Sequence, residues 1–307
     1  MAGVLPEDAV SGTAGGVPFT ALPPARATGR PAPLLVGWHM MEPPRTDAAF
    51  AAALPLAGLP AWRVYLGMPW CGAREPAGGT DAAFARATRD GEALLGALAP
   101  VVDQAVAEFP GALAELRSRL PLAEGPPCLL GASLGGAVAL TVLAAGVTRV
   151  RSAAVVNAGI RARSVLDVVE AATGLAQPLR AGAREAADRL DLVARAGEIA
   201  TASGDAPLLV VSGERDYPAL RADATALVDA VRAERAARGA PPGTVRLLSV
   251  PGLAHPLAEP PGTRPAPQLP LARAVDAALT AWFAAALEDD GSDETDVNGG
   301  VVPHDRT

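Results

Sequence analysis

Between residues 31 and 287, short apolar runs alternate with longer stretches in which apolar residues return every three or four positions. That pattern is expected of a mostly parallel sheet covered by helices, an α/β fold. The runs that predict strands are Leu34 to Trp38, Arg63 to Leu66, Cys128 to Gly131, Ala153 to Val156, Leu208 to Ser212 and Val245 to Val250. Helical spacing covers Asp81 to Leu120, where Pro100 and Pro110 are expected to break or kink the helix. It returns over Leu134 to Ala145, Ala219 to Ala237 and Leu271 to Leu287. In the last of these, Leu271, Val275, Ala278, Leu279 and Phe283 form a stripe of the kind that packs on a core.

Three segments depart from the alternation. Residues 1–30 are rich in Gly, Pro and Ala without a period and read as an irregular arm, with Val17-Pro18-Phe19 as a candidate short edge strand. Residues 160–201 are Ala-, Leu- and Arg-rich, broken at Gly174, Pro178 and Gly182. They read as two or three helices inserted between strands as a cap, with Leu166, Val169, Leu175, Leu192 and Val193 available to face inward. Residues 288–307 are acidic and polar with no apolar face, the composition of a disordered tail, and His304 in it is set aside as a catalytic residue.

Composition narrows the chemistry. The two cysteines, Cys71 and Cys128, are too few for a disulfide framework or a thiolate metal site, and no cluster of His and Cys ligands suggests a metal. A net charge of −7 argues against a nucleic-acid partner. Arg, Asp, Gly and Pro interrupt each candidate run for a bilayer span, and Met1 to Val10 lacks the basic start of a secretory signal. The expectation is a cytoplasmic protein with no membrane partner. The chain has no lysine, which excludes a phosphate-binding P-loop lysine, a Schiff-base lysine and a Ser-Lys dyad.

Gly131-Ala132-Ser133-Leu134-Gly135 fits G-x-S-x-G, with an apolar run before it and an Ala-, Leu- and Val-rich helix after it. A strand turning sharply into a helix presents the central serine hydroxyl at the apex, and the helix N-terminus aims free N–H groups at charge developing there. Ser133 is therefore the candidate nucleophile. It needs a base. His255 follows the strand Val245 to Val250 and precedes the last helix, in the expected order Ser, acid, His. The orienting acid should follow the strand Leu208 to Ser212, where Gly213-Glu214-Arg215-Asp216 stands. Asp216 is the choice and Glu214 the rival.

These residues resemble the α/β-hydrolase superfamily, in particular its dienelactone-hydrolase and prolyl-oligopeptidase-like esterase branch. The resemblance covers roughly residues 31–287. It rests on the serine turn, on Ser-Gly-Glu-Arg-Asp after a strand, and on Gly-Leu-Ala-His before the last helix. It implies a sheet flanked by helices with a helical cap, no cofactor, and a Ser133-Asp216-His255 triad. Members often carry His-Gly after the first core strand, and the next N–H donates to the oxyanion. Here Trp38-His39-Met40-Met41 occupies that place, so the implied donors are Leu134 and Met41, with Met40 as the alternative because the glycine is missing. His39 then supports the loop. Trp38, Met40 and Trp70, with Met41 and Tyr65, are candidate walls of an acyl pocket, against the alternative that they are plain core. Arg161, Arg163, Arg180, Arg184, Arg189 and Arg195 are either readers of an acidic substrate or solvated helix faces. The implied activity is hydrolysis of a small-molecule carboxylic ester or thioester. An amide or peptide hydrolase and a non-catalytic ligand-binding protein are the alternatives. Nothing in the sequence fixes the oligomeric state.

Overall fold

The computed structural model describes residues 5–26, 29–202, 204, 206–241 and 243–288. The predicted tail, apart from its first residue, lies outside them, as does His304.

All six predicted strands form. They are Leu34–Trp38 (β3), Trp62–Leu66 (β4), Cys128–Ala132 (β5), Ser152–Val156 (β6), Leu208–Gly213 (β7) and Val245–Val250 (β8). They run parallel to their neighbours in the order β4-β3-β5-β6-β7-β8. Alternation along them fills two cores. Val36, Leu129, Val155 and Val210 face one side, where Ala99–Arg119 (α3), Leu134–Ala144 (α4) and Pro218–Ala237 (α8) pack. Leu35, Leu130, Val156 and Val211 face the other, against Asp47–Ala53 (α1) and Pro270–Glu288 (α9). Covering both faces explains why the strands read as unbroken apolar runs.

The sheet does not end at β4. Val10–Ala14 (β1) and Val17–Leu22 (β2) form a hairpin that adds two antiparallel strands, giving eight among the described residues in the order β1-β2-β4-β3-β5-β6-β7-β8. This corrects the irregular arm expected at residues 1–30. The Val17-Pro18-Phe19 strand is longer than expected and internal, with β1 as the edge. Pro18 is tolerated there because it faces Thr13 of β1 while its carbonyl accepts from the Gly67 N–H at 2.8 Å. Packing overrides the weak local signal. Phe19 is buried, and a side chain on Gly15 at the turn would come within 2.6 Å of the Ala112 backbone in α3.

The stretch from Asp81 to Leu120 divides at residues 90–92, ahead of Pro100, where the helix instead changes from π to α without a break. Thr80–Arg89 (α2) ends first, and a π-helical turn over Leu94–Leu98 then runs straight into α3. The Ala99 N–H reaches back to the Leu94 carbonyl, and Pro100 takes the first turn of α3, where its missing N–H costs nothing. Pro110, by contrast, interrupts nothing: α3 runs through it, with Pro110 on the exposed side and Phe109, Ala112 and Leu113 buried. In α9 the buried stripe is Ala272, Val275, Leu279 and Phe283, with Leu271 turned outward. By length and hydropathy α9 alone among the described helices is long enough to cross a membrane. Its Val275, Leu279 and Phe283 nevertheless pack on the sheet, and Asp276 accepts from the Leu56 N–H at 2.8 Å.

Three helices lie between β6 and β7: Ala162–Thr173 (α5), Ala181–Arg189 (α6) and Ala196–Ala202 (α7). The expected 160–201 insertion divides in two. Residues 161 and 191 form a bridge, and Leu192 N–H donates to the Ile160 carbonyl, so α5 and α6 are an excursion closed at its base. α7 packs on α4 and α8 with the body of the fold. Leu166, Val169 and Leu192 are buried as expected, while Leu175 is exposed.

If the hairpin is part of the core, Phe19→Ala should cost about 3–5 kcal/mol of unfolding free energy, as for other buried aromatics. Denaturant melts of the two proteins check this, and a loose arm would give a cost near zero.

Candidate active site

The C-terminal ends of β3, β5, β6, β7 and β8 lie side by side, the edge at which open parallel sheets place their ligands. Ser133 stands between β5 and α4 with φ 48° and ψ −119°, a conformation L-residues avoid. The glycines around it are required by space. A Cβ on Gly131 would lie 2.2 Å from the Gly135 carbonyl oxygen, and one on Gly136 2.6 Å from the Ala158 side chain. One on Gly135 would meet the carbonyl oxygens of Trp38 and His39 at 2.2 and 2.4 Å. The turn therefore touches the loop after β3.

The structure brings the three predicted residues together. His255 Nε2 is 2.9 Å from Ser133 Oγ, and its Nδ1 is 2.8 Å from Asp216 Oδ1. Asp216 is buried, and the same oxygen accepts the Tyr217 N–H at 2.7 Å. Glu214, the rival acid, is exposed and accepts from Ser249 Oγ at 3.3 Å, away from the imidazole. Asn157 is a residue that sequence reasoning missed. At the end of β6, with φ 46°, its side chain donates to the carbonyls of Ala254 and His255 at 2.9 and 3.1 Å and accepts the Gly213 N–H at 2.8 Å. It ties the acid-bearing strand to the histidine loop. Gly213 permits the approach, since a Cβ there would sit 2.3 Å from the Leu253 carbonyl. The available signal was a polar residue closing an apolar strand.

Glu42 was also missed. Its carboxylate accepts from Ser133 Oγ at 2.9 Å and lies 3.4 Å from His255 Nε2. It stands one residue beyond Met41, in the loop already singled out for an oxyanion donor, and that proximity was the available signal. Loss of water around the carboxylate disfavours the charge on Glu42, although 44% of its side chain stays open, and bonds and attraction from His255 outweigh that and hold the carboxyl below the usual carboxylate range. Burial likewise works against a charged His255. The hydrogen bonds and charges of Asp216 and Glu42 outweigh it and raise the imidazole to about 10. In this arrangement His255 is protonated at Nε2, and Ser133 accepts from it and donates to Glu42.

A cavity of about 350 Å³ opens over Ser133. Its apolar wall includes Phe84, Leu98, Val165, Val169, Tyr217 and Leu220, so α5 of the excursion contributes directly. The walls expected from sequence lie elsewhere. Trp38 is buried edge-on against Phe109, with ring centroids 5.0 Å apart. Met40 is buried on the opposite side of the sheet. Trp70 packs against the α3-side core, and buried Tyr65 donates to the Leu54 carbonyl at 2.5 Å. Strand alternation turns Trp38 and Tyr65 inward. Met41 does line the cavity, as does Leu134, whose N–H opens α4 and has no partner within the helix. None of the six candidate arginines lines it. Arg161 pairs with Asp191 and Asp223, Arg163 with Asp188, Arg189 with Asp103 and Arg195 with Glu198. Cys71, the thiol in the neighbouring loop, is buried, which pushes its pKa up to about 12.

His39 is buried beneath the loop. Its Nδ1–H donates to the Met40 carbonyl at 2.6 Å, and its Nε2 accepts the Met68 N–H at 2.9 Å. Burial lowers its pKa to about 4, so it is neutral at pH 7 and holds two loops together.

No family model matches the chain, and no curated protein matches it in sequence. Solved structures do. The Thermus thermophilus protein TT1662 superposes with a TM-score of 0.60 at 21% identity, over 90% of this chain and 97% of that one. An S-formylglutathione hydrolase from Agrobacterium tumefaciens gives 0.57 at 16% identity, over 91% and 94%. A Mycobacterium tuberculosis puromycin-hydrolyzing peptidase gives 0.60 at 15% identity, over 92% of this chain and 41% of that chain.

Because His39 is depressed in the folded state, the unfolded chain binds its proton first as pH falls. Its contribution to stability is present above about 6.5 and is lost as pH falls towards about 4. Over that window the wild type should lose about 2 kcal/mol more unfolding free energy than His39→Gln, on the scale of a shifted buried group. Urea melts at both pH values check the slope, and parallel losses in the two proteins would remove His39 as the cause.

Proposed function

We propose, on the premise that this chain has the α/β-hydrolase fold, that it is a serine hydrolase of carboxylic esters or thioesters with small or medium acyl groups. The observation that carries the reading is the unbroken line from Ser133 Oγ through His255 to buried Asp216, at 2.9 and 2.8 Å. The apolar cavity above Ser133 supports an acyl group as the part of the substrate held there.

With His255 neutral, Ser133 Oγ attacks the carbonyl carbon while its proton passes to Nε2. The resulting oxyanion is met by the Leu134 N–H, aided by the helix N-terminus, and by the Met41 N–H on the loop opposite. His255 then gives its proton to the departing alcohol or thiol, leaving Ser133 acylated. Water enters and attacks the acyl carbon as it loses a proton to His255; the bond to Ser133 Oγ then breaks, His255 returns the proton to Oγ, and the acid is released. Asp216 keeps the imidazole in the tautomer whose Nε2 accepts, and stabilises the imidazolium that forms in each half-reaction. The strain at Ser133 keeps Oγ forward, since the φ of 48° turns the side chain out of the strand.

Turnover of p-nitrophenyl esters of graded chain length tests the reading. Ser133→Ala should abolish it in a folded protein. Asp216→Asn should cost on the order of 10³-fold or more in kcat, by analogy with acid removal in other triads, and Glu214→Gln only a small factor. Full turnover by Ser133→Ala, or a larger loss at Glu214, would contradict the assignment.

A further inference from the structure

We infer that Glu42 makes the cavity selective for acyl groups that carry a cationic nitrogen beside the reacting carbonyl, an α-aminoacyl group being the simplest. The inference rests on the serine-hydrolase reading and narrows its substrate class.

The argument starts from the charges on the cavity wall. Among the described residues these are Glu42, Arg45, Asp81 and His255. Arg45 donates to both oxygens of Asp81, at 2.5 and 3.2 Å, so that pair is neutral as a unit. Glu42 is left with His255, and leaves 44% of its side chain open. As the site stands, one imidazolium serves two carboxylates, Glu42 and Asp216. Such a site is not ready to react, because His255 must be neutral to take the Ser133 proton. Once it is neutral, Glu42 stands beside the nucleophile without a cation; when the Ser133 proton has passed to His255, one imidazolium again serves two carboxylates, with the oxyanion as a third negative charge close by. A neutral or anionic acyl group does nothing to relieve this.

An ammonium on the substrate relieves it at the required place. The attacked carbon must come to about 3 Å from Ser133 Oγ, and Glu42 Oε2 is 2.9 Å from the same atom. An α-nitrogen lies about 2.5 Å from the carbonyl carbon across the N–Cα–C angle, which brings it within hydrogen-bond reach of that carboxylate. Binding then exchanges one charge-assisted bond for another: Glu42 leaves Ser133 and His255 for the ammonium, His255 loses the carboxylate that favours its proton, and Oγ is free to bond Nε2. The surroundings suit a cation. Tyr217 is half-exposed on the wall with its ring centroid 5.3 Å from that of His255, and Phe84 also lines the cavity, so two aromatic rings share the cavity with Glu42.

The test uses three benzyl esters of matched shape: leucine, N-acetyl-leucine and 4-methylpentanoate, the last being leucine without its nitrogen. Release of benzyl alcohol gives kcat/KM for wild type, Glu42→Gln and Glu42→Asp. Each value is divided by the ester's own rate with hydroxide, because an ammonium activates a neighbouring carbonyl by itself. The wild type should favour the leucine ester over both uncharged esters by about tenfold or more, the factor of one charge-assisted contact. Glu42→Gln should collapse that ratio, and Glu42→Asp, which keeps the charge, should retain part of it. A wild-type ratio near one, or a ratio that survives Glu42→Gln, overturns the inference while Ser133-dependent ester cleavage still stands. Absence of any Ser133-dependent cleavage overturns the serine-hydrolase reading, and the inference with it.

Discussion

The site depends on one close backbone contact. The serine turn between β5 and α4 presses against the carbonyls of Trp38 and His39, with no room for even a methyl group on Gly135. The contact fixes where the loop after β3 passes, and so sets Met41 and Glu42 at the mouth of the cavity opposite Ser133. The buried His39 ring keeps the loop there by bonding the Met40 carbonyl on one side and the Met68 N–H on the other. A second contact of the same kind, Gly213 against Leu253, joins the acid-bearing strand to the histidine loop, and Asn157 bonds to both. Rigid positioning of this sort is what a nucleophile and base need to meet at hydrogen-bond distance.

Electrostatics then decide what the geometry does. Placing a second carboxylate beside the imidazole stabilises its protonated form, which suits a resting site and opposes the first step of acyl transfer. The rest of the wall is mostly apolar, and its other two charges, Arg45 and Asp81, are paired with each other. Arg161, Arg163 and Arg189 are paired with Asp223, Asp188 and Asp103, away from the cavity. On the proposed reading, the charge of the substrate then becomes part of the mechanism.

Much of this was legible in the sequence, for physical reasons. Strands buried on both faces must be apolar throughout, so β3 to β8 announced themselves. The turn around Ser133 needs glycine at fixed positions, and chain order singled out His255 and the loop that carries Glu214 and Asp216. The hairpin was not legible, because β1 and β2 are held by contacts such as Gly15 against Ala112 that are distant in sequence. Trp38 and Met40 were misplaced because proximity to the loop is visible in sequence, whereas the face a side chain takes at a strand end is not. Glu42 and Asn157 escaped for a related reason. A single polar residue in a loop carries no period, and its role appears only when strands far apart in the chain are laid side by side.

The central claim is that Ser133 is an activated nucleophile. Its most direct measure is covalent trapping by a small fluorophosphonate, followed by intact mass and peptide mapping. One adduct per chain, located on Ser133 and absent when the protein is unfolded before exposure, is the predicted result. An unmodified chain under conditions that label a known serine hydrolase, or an adduct on another residue, would contradict it.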